Sequence, residues 1–539
     1  MPKSVVDEMK RFGEARRSNV LKQIQTSMWV SSSLPLVNWH IYSTKPVASL
    51  FGAVDAGRVS RVLVGGCDAV LNALAGLWSI EDVALNPGVN RIVVRALDAN
   101  NAEVGREICT VWYDTKSATV VSGVLVSNTI WRAVNGPYLV VDDLVVPGGL
   151  TLTVDAGASV FVQQNKQIIV RGKLVAEGGR DQLVRITRPP DATYYWGGIV
   201  FENSVGQNRL KNVEMVYISG PAITLTNSSL LVEDCSWDAL SGSTIVTYNS
   251  SLVVRRSKFP GVAWTETVSG IGIPENGQVI FDGNYFAPPA GYADVIDFTG
   301  GKRPGPILQI LNNTFAGGGD DGLDLDGTDA HIEGNVFAHF HKNNDTSSES
   351  AAISTGVYNR QTSSITLVRN VFFDNDYDVI LKDGARLVAQ NNTFVGSKYG
   401  SLCFKEPLRP AGNPAALVLA EGCIWWNLPV VMAHLDTNLL SGGSLEVSVK
   451  RSILPEPGPW DKGGNVNSDP RFVDLAGDFR LMPGSPASGT GPLGLDMGGH
   501  VPAGTRVVGN VPSITWRKEA YFTVGGPGVV GYKYLSLIH

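Results

Sequence analysis

From about residue 129 onward, short runs of β-branched and bulky apolar residues alternate with Asn, Asp, Gly and Ser, and one motif keeps returning. It reads KNVEM, EDCSW, RRSKF, DGNYF, LNNTF, EGNVF, VRNVFF, QNNTF, EGCIWW and KRSIL, anchored at Met215, Trp237, Phe259, Phe286, Phe315, Phe337, Phe372, Phe394, Trp425 and Leu454. Four of the separations are 22 residues, none is shorter, and the longest is the 35 from Phe337 to Phe372. A floor with longer excursions is what a stacked coil with loop insertions gives, whereas meandering hairpins have no such floor. Each coil then contributes short strands, and coils stack at the strand spacing of about 4.8 Å, so that equal register positions form ladders. The Asn two residues before each anchor (Asn284, Asn313, Asn335, Asn370, Asn392) predicts an internal ladder of amides, and Trp425, ending a motif, belongs in the core.

This pattern resembles the right-handed parallel β-helix of the pectate-lyase-like superfamily, and the resemblance implies an all-β solenoid over 117–500. Residues 121–183, rich in alternating Val, Leu and Thr, read as its opening coils, and residues 467–498 (NSDPRFVDLAGDFRLMPGSPASGTGPLGLDMG) resemble a segment that closes bacterial β-helices. Ahead of it, VASLFGAV, SRVLVGG, NRIVVRALD and ICTVWY are short alternating or buried runs separated by turn signals, which predicts a small sandwich over 31–116. NPGVNRIVVRALDANNAEVG resembles the late strands of bacterial immunoglobulin-like accessory domains. Residues 1–30 carry Val5, Val6, Met9, Phe12, Val20, Leu21 and Ile24 on one helical face, and 501–539 read as the incomplete start of a further β-domain. The chain is therefore expected to be a monomer or a piece of a larger multidomain polypeptide.

Composition narrows the class. Sixty glycines among 539 residues, with few long helical patterns, fit an all-β protein of tight turns. The net charge of -6 argues against nucleic acid as the partner. No apolar run approaches the roughly 20 residues of a membrane span, and the charged residues 1–27 do not read as a signal peptide. Five cysteines are too few and scattered for a disulfide framework or zinc motif, and pairing of Cys67 with Cys109, both in the sandwich, is left open.

The candidate chemistry lies in GGGDDGLDLDGTD, residues 317–329, where Asp320, Asp321, Asp324, Asp326 and Asp329 crowd together. Two carboxylates about 5 Å apart repel by roughly 3 kcal/mol at an effective dielectric of 20, so such crowding calls for a cation. Laying the coils on the motif anchors points Ile296 and Phe298, Leu323 and Leu325, Ala351 and Ile353, Val379 and Leu381, and Leu402 and Phe404 inward. The outward columns become Asp297, Asp324, Ala352, Ile380, Cys403 and Thr299, Asp326, Ser354, Lys382, Lys405. Asp297 then stacks beside Asp324, and calcium, which takes irregular sets of roughly six to eight oxygens, suits the place better than magnesium. His331, His339 and His341 match no recognised zinc spacing and read as solvated or turn-bonded.

The DDGLD run with a further Asp one coil earlier is similar to the calcium site of one pectate-lyase family of this fold. That resemblance carries the calcium ligands onto Asp297, Asp320, Asp321 and Asp324, with a lysine on the following coil as the base of a β-elimination. Here that position reads as Ala352. Lys382 and Lys405, about 10 and 14 Å up the ladder, are the remaining bases, with Asp326 beside them. Three readings stay open: a polysaccharide lyase on an acidic polysaccharide, a glycoside hydrolase using the outward Asp pairs, and a non-catalytic glycan-binding or display module. The last draws on the order of parts, with FGEARRSNVLKQI as the end of a preceding domain, which resembles secreted bacterial proteins with CotH-type kinase and lamin-tail domains. All three imply an extracellular or cell-surface protein. Trp425, Trp426, Tyr377 and Tyr399 are candidates for sugar stacking if exposed.

Overall fold

A computed structural model describes residues 28–204, 206–342, 349–405, 415–435, 440 and 445–502, with the backbone of strands Arg506–Gly509 and Phe522–Gly525. The helix expected over 1–30 falls on residues outside these, except that Met28–Ser32 is a strand. The late strands Arg506–Gly509 and Phe522–Gly525 pair antiparallel. The chain divides into two compact units: the first comprises residues up to 168 with 173–196 and 209–217, and the second comprises 169–172, 197–208 and 218 onward.

In the first unit a four-stranded and a six-stranded sheet enclose Leu50, Val62, Trp78, Val94 and Val111. This is the two-sheet sandwich the alternation predicts. Its longest pairing joins Gly88–Leu97 to Glu103–Tyr113. Cys67 is exposed and Cys109 buried, both unpaired, and burial pushes the Cys109 thiol up to about 11. Parallel coils follow, with Thr129–Trp131, Thr151–Asp155 and Lys173–Glu177 in one ladder. The Ser159 hydroxyl of these coils accepts from Val89 N–H at 2.8 Å and donates to Val89 O at 3.0 Å, tying the sandwich to them.

The second unit is a right-handed parallel β-helix with three ladders per coil. One runs through Ile223–Thr226, Ile245–Tyr248, Val268–Ile271, Ile296–Thr299, Leu323–Asp326, Ala351–Tyr358, Tyr377–Lys382 and Gly400–Lys405. The others begin at Ser229–Glu233 and Ser236–Leu240. Right-handed crossovers are what twisted parallel strands favour. Inside, Trp237, Phe259, Phe286, Phe315, Phe337, Phe372, Phe394 and Trp425 stack with ring centroids 4.4 to 5.1 Å apart. That spacing matches the rise from strand to strand, so one aromatic per coil fills the interior without a gap. Beside the stack, each amide donates to the next Oδ1: Asn284 to Asn313 at 2.9 Å, then Asn313 to Asn335, Asn335 to Asn370 and Asn370 to Asn392 at 3.0 Å.

Two expectations are corrected. Asp324 pairs with Ser354 and Asp326 with Gly356, so the outward partner of Asp324 is Ser354 and not Ala352. The inward residues of that strand are Ile353 and Thr355, two positions on from the expected Ala351 and Ile353. A polar inward residue is tolerated because the Thr355 hydroxyl donates to Ile380 O at 3.1 Å and accepts from Lys382 N–H at 3.1 Å. The segment expected to close the helix instead covers a flank: Phe472, Phe479 and Met497 pack on Val371, Val395, Ile424 and Ile453. Gly499 N–H donates to Thr393 Oγ1 at 2.9 Å, which pins that segment to the third ladder.

Candidate functional site

Alternation along Ile296–Thr299 and Leu323–Asp326 buries Ile296, Phe298, Leu323 and Leu325 and turns Asp297, Asp324 and Asp326 outward. Asp297 and Asp324 are direct register partners. Farther up, Lys382 pairs with Lys405. Between Asp326 and Lys382 the ladder carries Gly356, where a Cβ would lie 1.8 Å from Asp326 Oδ1. The missing side chain is what leaves room for the Asp326 carboxylate over that strand.

The turns that feed these strands bring in more carboxylates. Asp294, Asp320 and Asp321 place carboxylate oxygens within 4.8 Å of one another. Asp321 N–H donates to Asp294 Oδ1 at 3.0 Å, Ala351 N–H donates to Asp321 Oδ1 at 2.8 Å, and the Ser350 hydroxyl donates to Asp320 O at 2.7 Å. The three line a pocket of about 330 Å³ with Glu266, Tyr292, Asp324, Glu349, Lys382 and Lys405. Asp324 Oδ1 is buried with no hydrogen-bond partner. Buried polar atoms are nearly always satisfied, so an orphaned carboxylate oxygen facing a pocket points to a missing ligand.

The electrostatics agree. Burial and the carboxylates of Asp321, Asp324 and Asp320 push Asp294 up to about 10. Burial, then Asp324, Glu266 and Asp326, push Asp297 up to about 7. Burial and Asp326, opposed by Lys382, push Asp324 up to about 6, and burial with Asp324 and Asp320 raises Asp321 well above the ordinary range. Asp326 is raised by burial. Burial works against the charge on Lys382, but Asp324, Asp321, Asp326 and Asp294 outweigh it and raise its pKa. Without a further cation, these carboxyls hold their protons to higher pH than free carboxyls do.

A pH dependence follows. A carboxyl whose folded pKa exceeds its unfolded value of about 3.9 binds its proton more tightly in the folded state, so its stabilisation is complete below that value. It is lost as pH rises through about 6 for Asp324 and about 7 for Asp297. In chelator the melting temperature is therefore expected to fall between about pH 5 and about pH 8, and less steeply in Asp297→Asn. A rise over that interval in both proteins would contradict the arrangement.

Of the residues singled out from sequence, Asp320, Asp321, Asp324, Lys382 and Lys405 line one pocket. Asp297 and Asp326 flank Asp324 on the strands without lining it. Lys405 is ion-paired with Glu349, whereas no carboxylate among the described residues lies within 4 Å of the Lys382 ammonium. Asp294 and Glu266 were missed, yet register carries the signal: Asp294 stands three residues before Asp297 as Asp321 stands before Asp324, and Glu266 falls one coil earlier. Among the stacking candidates, Trp425 and Tyr377 are buried, Trp426 is half-buried and Tyr399 is exposed. Trp264, 78 % exposed, and Tyr292 are better placed, near Glu266 and Asp294 in sequence. Of the histidines, His331 bonds Glu333 at 2.8 Å, and His339 and His341 face Asp374 and Asp376.

The sequence matches no protein-family model and no curated protein. Among solved structures it is similar to a family 28 exopolygalacturonase of Yersinia enterocolitica, at 10 % identity over 76 % of this chain and 99 % of that one, with a TM-score of 0.26. It is also similar to tailspike protein 3 of bacteriophage CBA120, at 12 % identity over 65 % and 57 %, TM-score 0.27. A third is pectate lyase Pel9A, at 15 % identity over 64 % and 84 %, TM-score 0.23.

Proposed function

We propose that the outward face from Asp294 to Lys405 is the site of an extracellular, polysaccharide-lyase-like protein that acts on an acidic polysaccharide. The observation that carries this reading is that Lys382 and the aspartate cluster line a single pocket, whose volume is at the low end of ligand sites. The donor set is all hard oxygen, and the orphaned Asp324 Oδ1 supplies one more acceptor than the protein uses, which fits calcium. Asp294, Asp320, Asp321 and Asp324 would hold the ion, leaving Asp297 beside them. Calcium there would set positive charge against a uronate carboxylate and replace the protons the cluster otherwise needs.

Lys382 is the proton acceptor in this reading. It lines the pocket with no carboxylate of the described residues within 4 Å of its ammonium, and relief of the negative charge that raises its pKa would bring it toward the working range. Lys405, held by Glu349, contributes charge and not basicity. Trp264 and Tyr292 present exposed ring surface for sugar stacking. Gly356 keeps Asp326 in place, so Gly356→Ala is expected to displace that carboxylate and cut turnover by up to about a hundredfold with little change in melting temperature. Unchanged turnover would remove Asp326 from the site.

A glycoside hydrolase is the second reading, favoured by Asp297 and Asp324 on paired strands with carboxyls pushed up to about 7 and about 6. One protonated and one ionised carboxyl is the state such chemistry uses. The cation separates the two readings. Calorimetry on chelator-stripped protein is expected to show calcium uptake that weakens at least about tenfold in Asp294→Asn and in Asp324→Ala. No uptake, or uptake indifferent to both substitutions, would overturn the calcium site and leave the hydrolase or a binding module.

A further inference from the structure

In the turns that follow strands Val336–Ala338 and Val371–Phe373, we propose a second metal site made of residues that do not line the carboxylate pocket: His339 Nδ1, His341 Nε2 and Asp374 Oδ2 bind a divalent transition-metal ion, zinc foremost, with Asp376 as a positioning residue. The coils bring these groups together. Strand Val336–Ala338 pairs with Val371–Phe373, with Ala338 opposite Phe373, so a His-x-His turn lies in register over an Asp-x-Asp turn. His339 and Asp374 both adopt the left-handed conformation there, at φ 64° and 52°. The ring of His339 is held edge-on to Phe373 with centroids 5.5 Å apart.

The three ligand atoms all lie within 4.8 Å of one another. His339 Nδ1 is 2.8 Å from Asp374 Oδ2, and His341 Nε2 is 3.4 Å from the same oxygen. An ion with bonds of about 2.1 Å sets its ligand atoms roughly 3.0 to 3.4 Å apart, depending on octahedral or tetrahedral geometry. Two imidazoles and one carboxylate form a borderline-soft set that favours zinc, copper or nickel over calcium.

Asp376 supplies the independent observation. It is 2 % exposed, accepts Lys342 N–H on Oδ2 at 2.9 Å, and lies 3.0 Å from His341 Nδ1 through Oδ1. A carboxylate on Nδ1 keeps the proton there and leaves the Nε2 lone pair facing Asp374 Oδ2. His341 Nε2 and Asp374 Oδ2, 3.4 Å apart, stand at the separation of two ligands that share one ion. On the other side the preceding coil presents Gly317 and Gly318, the latter bridged to Phe340, and the side chains of His339 and Asp374 are about half exposed. Three protein ligands with an accessible fourth position would take a water or an anionic ligand and would clip one coil to the next.

The test uses the untagged full chain, stripped with chelator and dialysed against zinc in a large excess of calcium, so that hard-oxygen sites are already occupied. One zinc per chain is expected. It should be lost in the His339→Ala/His341→Ala double variant, whose metal-free melting temperature stays near that of the parent. Asp376→Asn is expected to weaken zinc binding about ten- to a hundredfold and to shift the visible absorption of the cobalt-substituted protein, which a merely structural role would not do. No zinc uptake, or equal uptake by the double variant, would overturn the site. So would zinc binding that disappears with Asp294→Asn but survives the histidine substitutions, since it then belongs to the carboxylate pocket.

Discussion

Lys382→Ala is expected to lower calcium-dependent formation of unsaturated uronate product by about a thousandfold, within the range a positioned general base contributes. Lys382→Arg is expected to lose as much, although it keeps the charge, because a guanidinium does not give up its proton at accessible pH. The two variants should part in stability. Lys382 compensates Asp324, Asp321, Asp326 and Asp294, so the alanine protein should melt below the arginine protein in chelator at pH 8, with the gap closing toward pH 5 as the carboxyls take up protons. Substantial turnover by Lys382→Arg would remove Lys382 as the base and leave it a charge-balancing group.

The largest effect on stability is expected at the centre of the amide ladder. Asn335 Nδ2 donates to Ile310 O at 2.8 Å and to Asn370 Oδ1 at 3.0 Å, while its Oδ1 accepts Asn313 N–H at 2.8 Å and Asn313 Nδ2 at 3.0 Å. Asn335 is fully buried. Asn335→Ala strands donors and acceptors on both neighbouring coils, each at about 1–3 kcal/mol, for a total of about 3–5 kcal/mol after relaxation. Urea unfolding should show the loss as a lower midpoint, with a broadened transition if coils uncouple about the lesion. A loss below about 1 kcal/mol would mean that water satisfies the ladder and that it does not hold the coils together.

The ladders were legible in sequence for a physical reason. Asn284, Asn313, Asn335, Asn370 and Asn392 occupy one turn position whatever the loops between them do, and the aromatic two residues later must fill one interior slot. Asp297 against Asp324 was legible too, because no insertion interrupts the strands that carry them. Register failed at Ala351–Tyr358, inside the longest coil, where a rule of apolar inward residues excludes Thr355, although its hydroxyl is satisfied by backbone. Asp294 escaped notice because it acts from the turn before its strand, where no alternation marks it. The histidine cluster was hidden from motif spacing, since its carboxylates lie a full coil away. The interval from His339 to Asp374, and from His341 to Asp376, is nonetheless the same 35 residues that separates Phe337 from Phe372.

Several carboxylates and two lysines share the pocket, and the proposed chemistry depends on what neutralises the carboxylates. Without a cation, burial and mutual repulsion raise the pKa of Asp294, Asp297 and Asp324, and the same carboxylates raise that of Lys382 and favour its charged form. With a cation held by Asp294, Asp320, Asp321 and Asp324, as proposed, those side chains would become ligands and Lys382 would move toward basicity. On the proposed reading, lyase and hydrolase chemistry would be two charge states of one surface, and their products would tell them apart. The most direct measurement follows ultraviolet absorbance while the protein is incubated with a panel of uronate polysaccharides, in calcium and in chelator. A calcium-dependent rise on at least one uronate polymer, absent in Lys382→Ala, is the expected result. A flat trace on every polymer, with or without new reducing ends, would contradict elimination at this pocket.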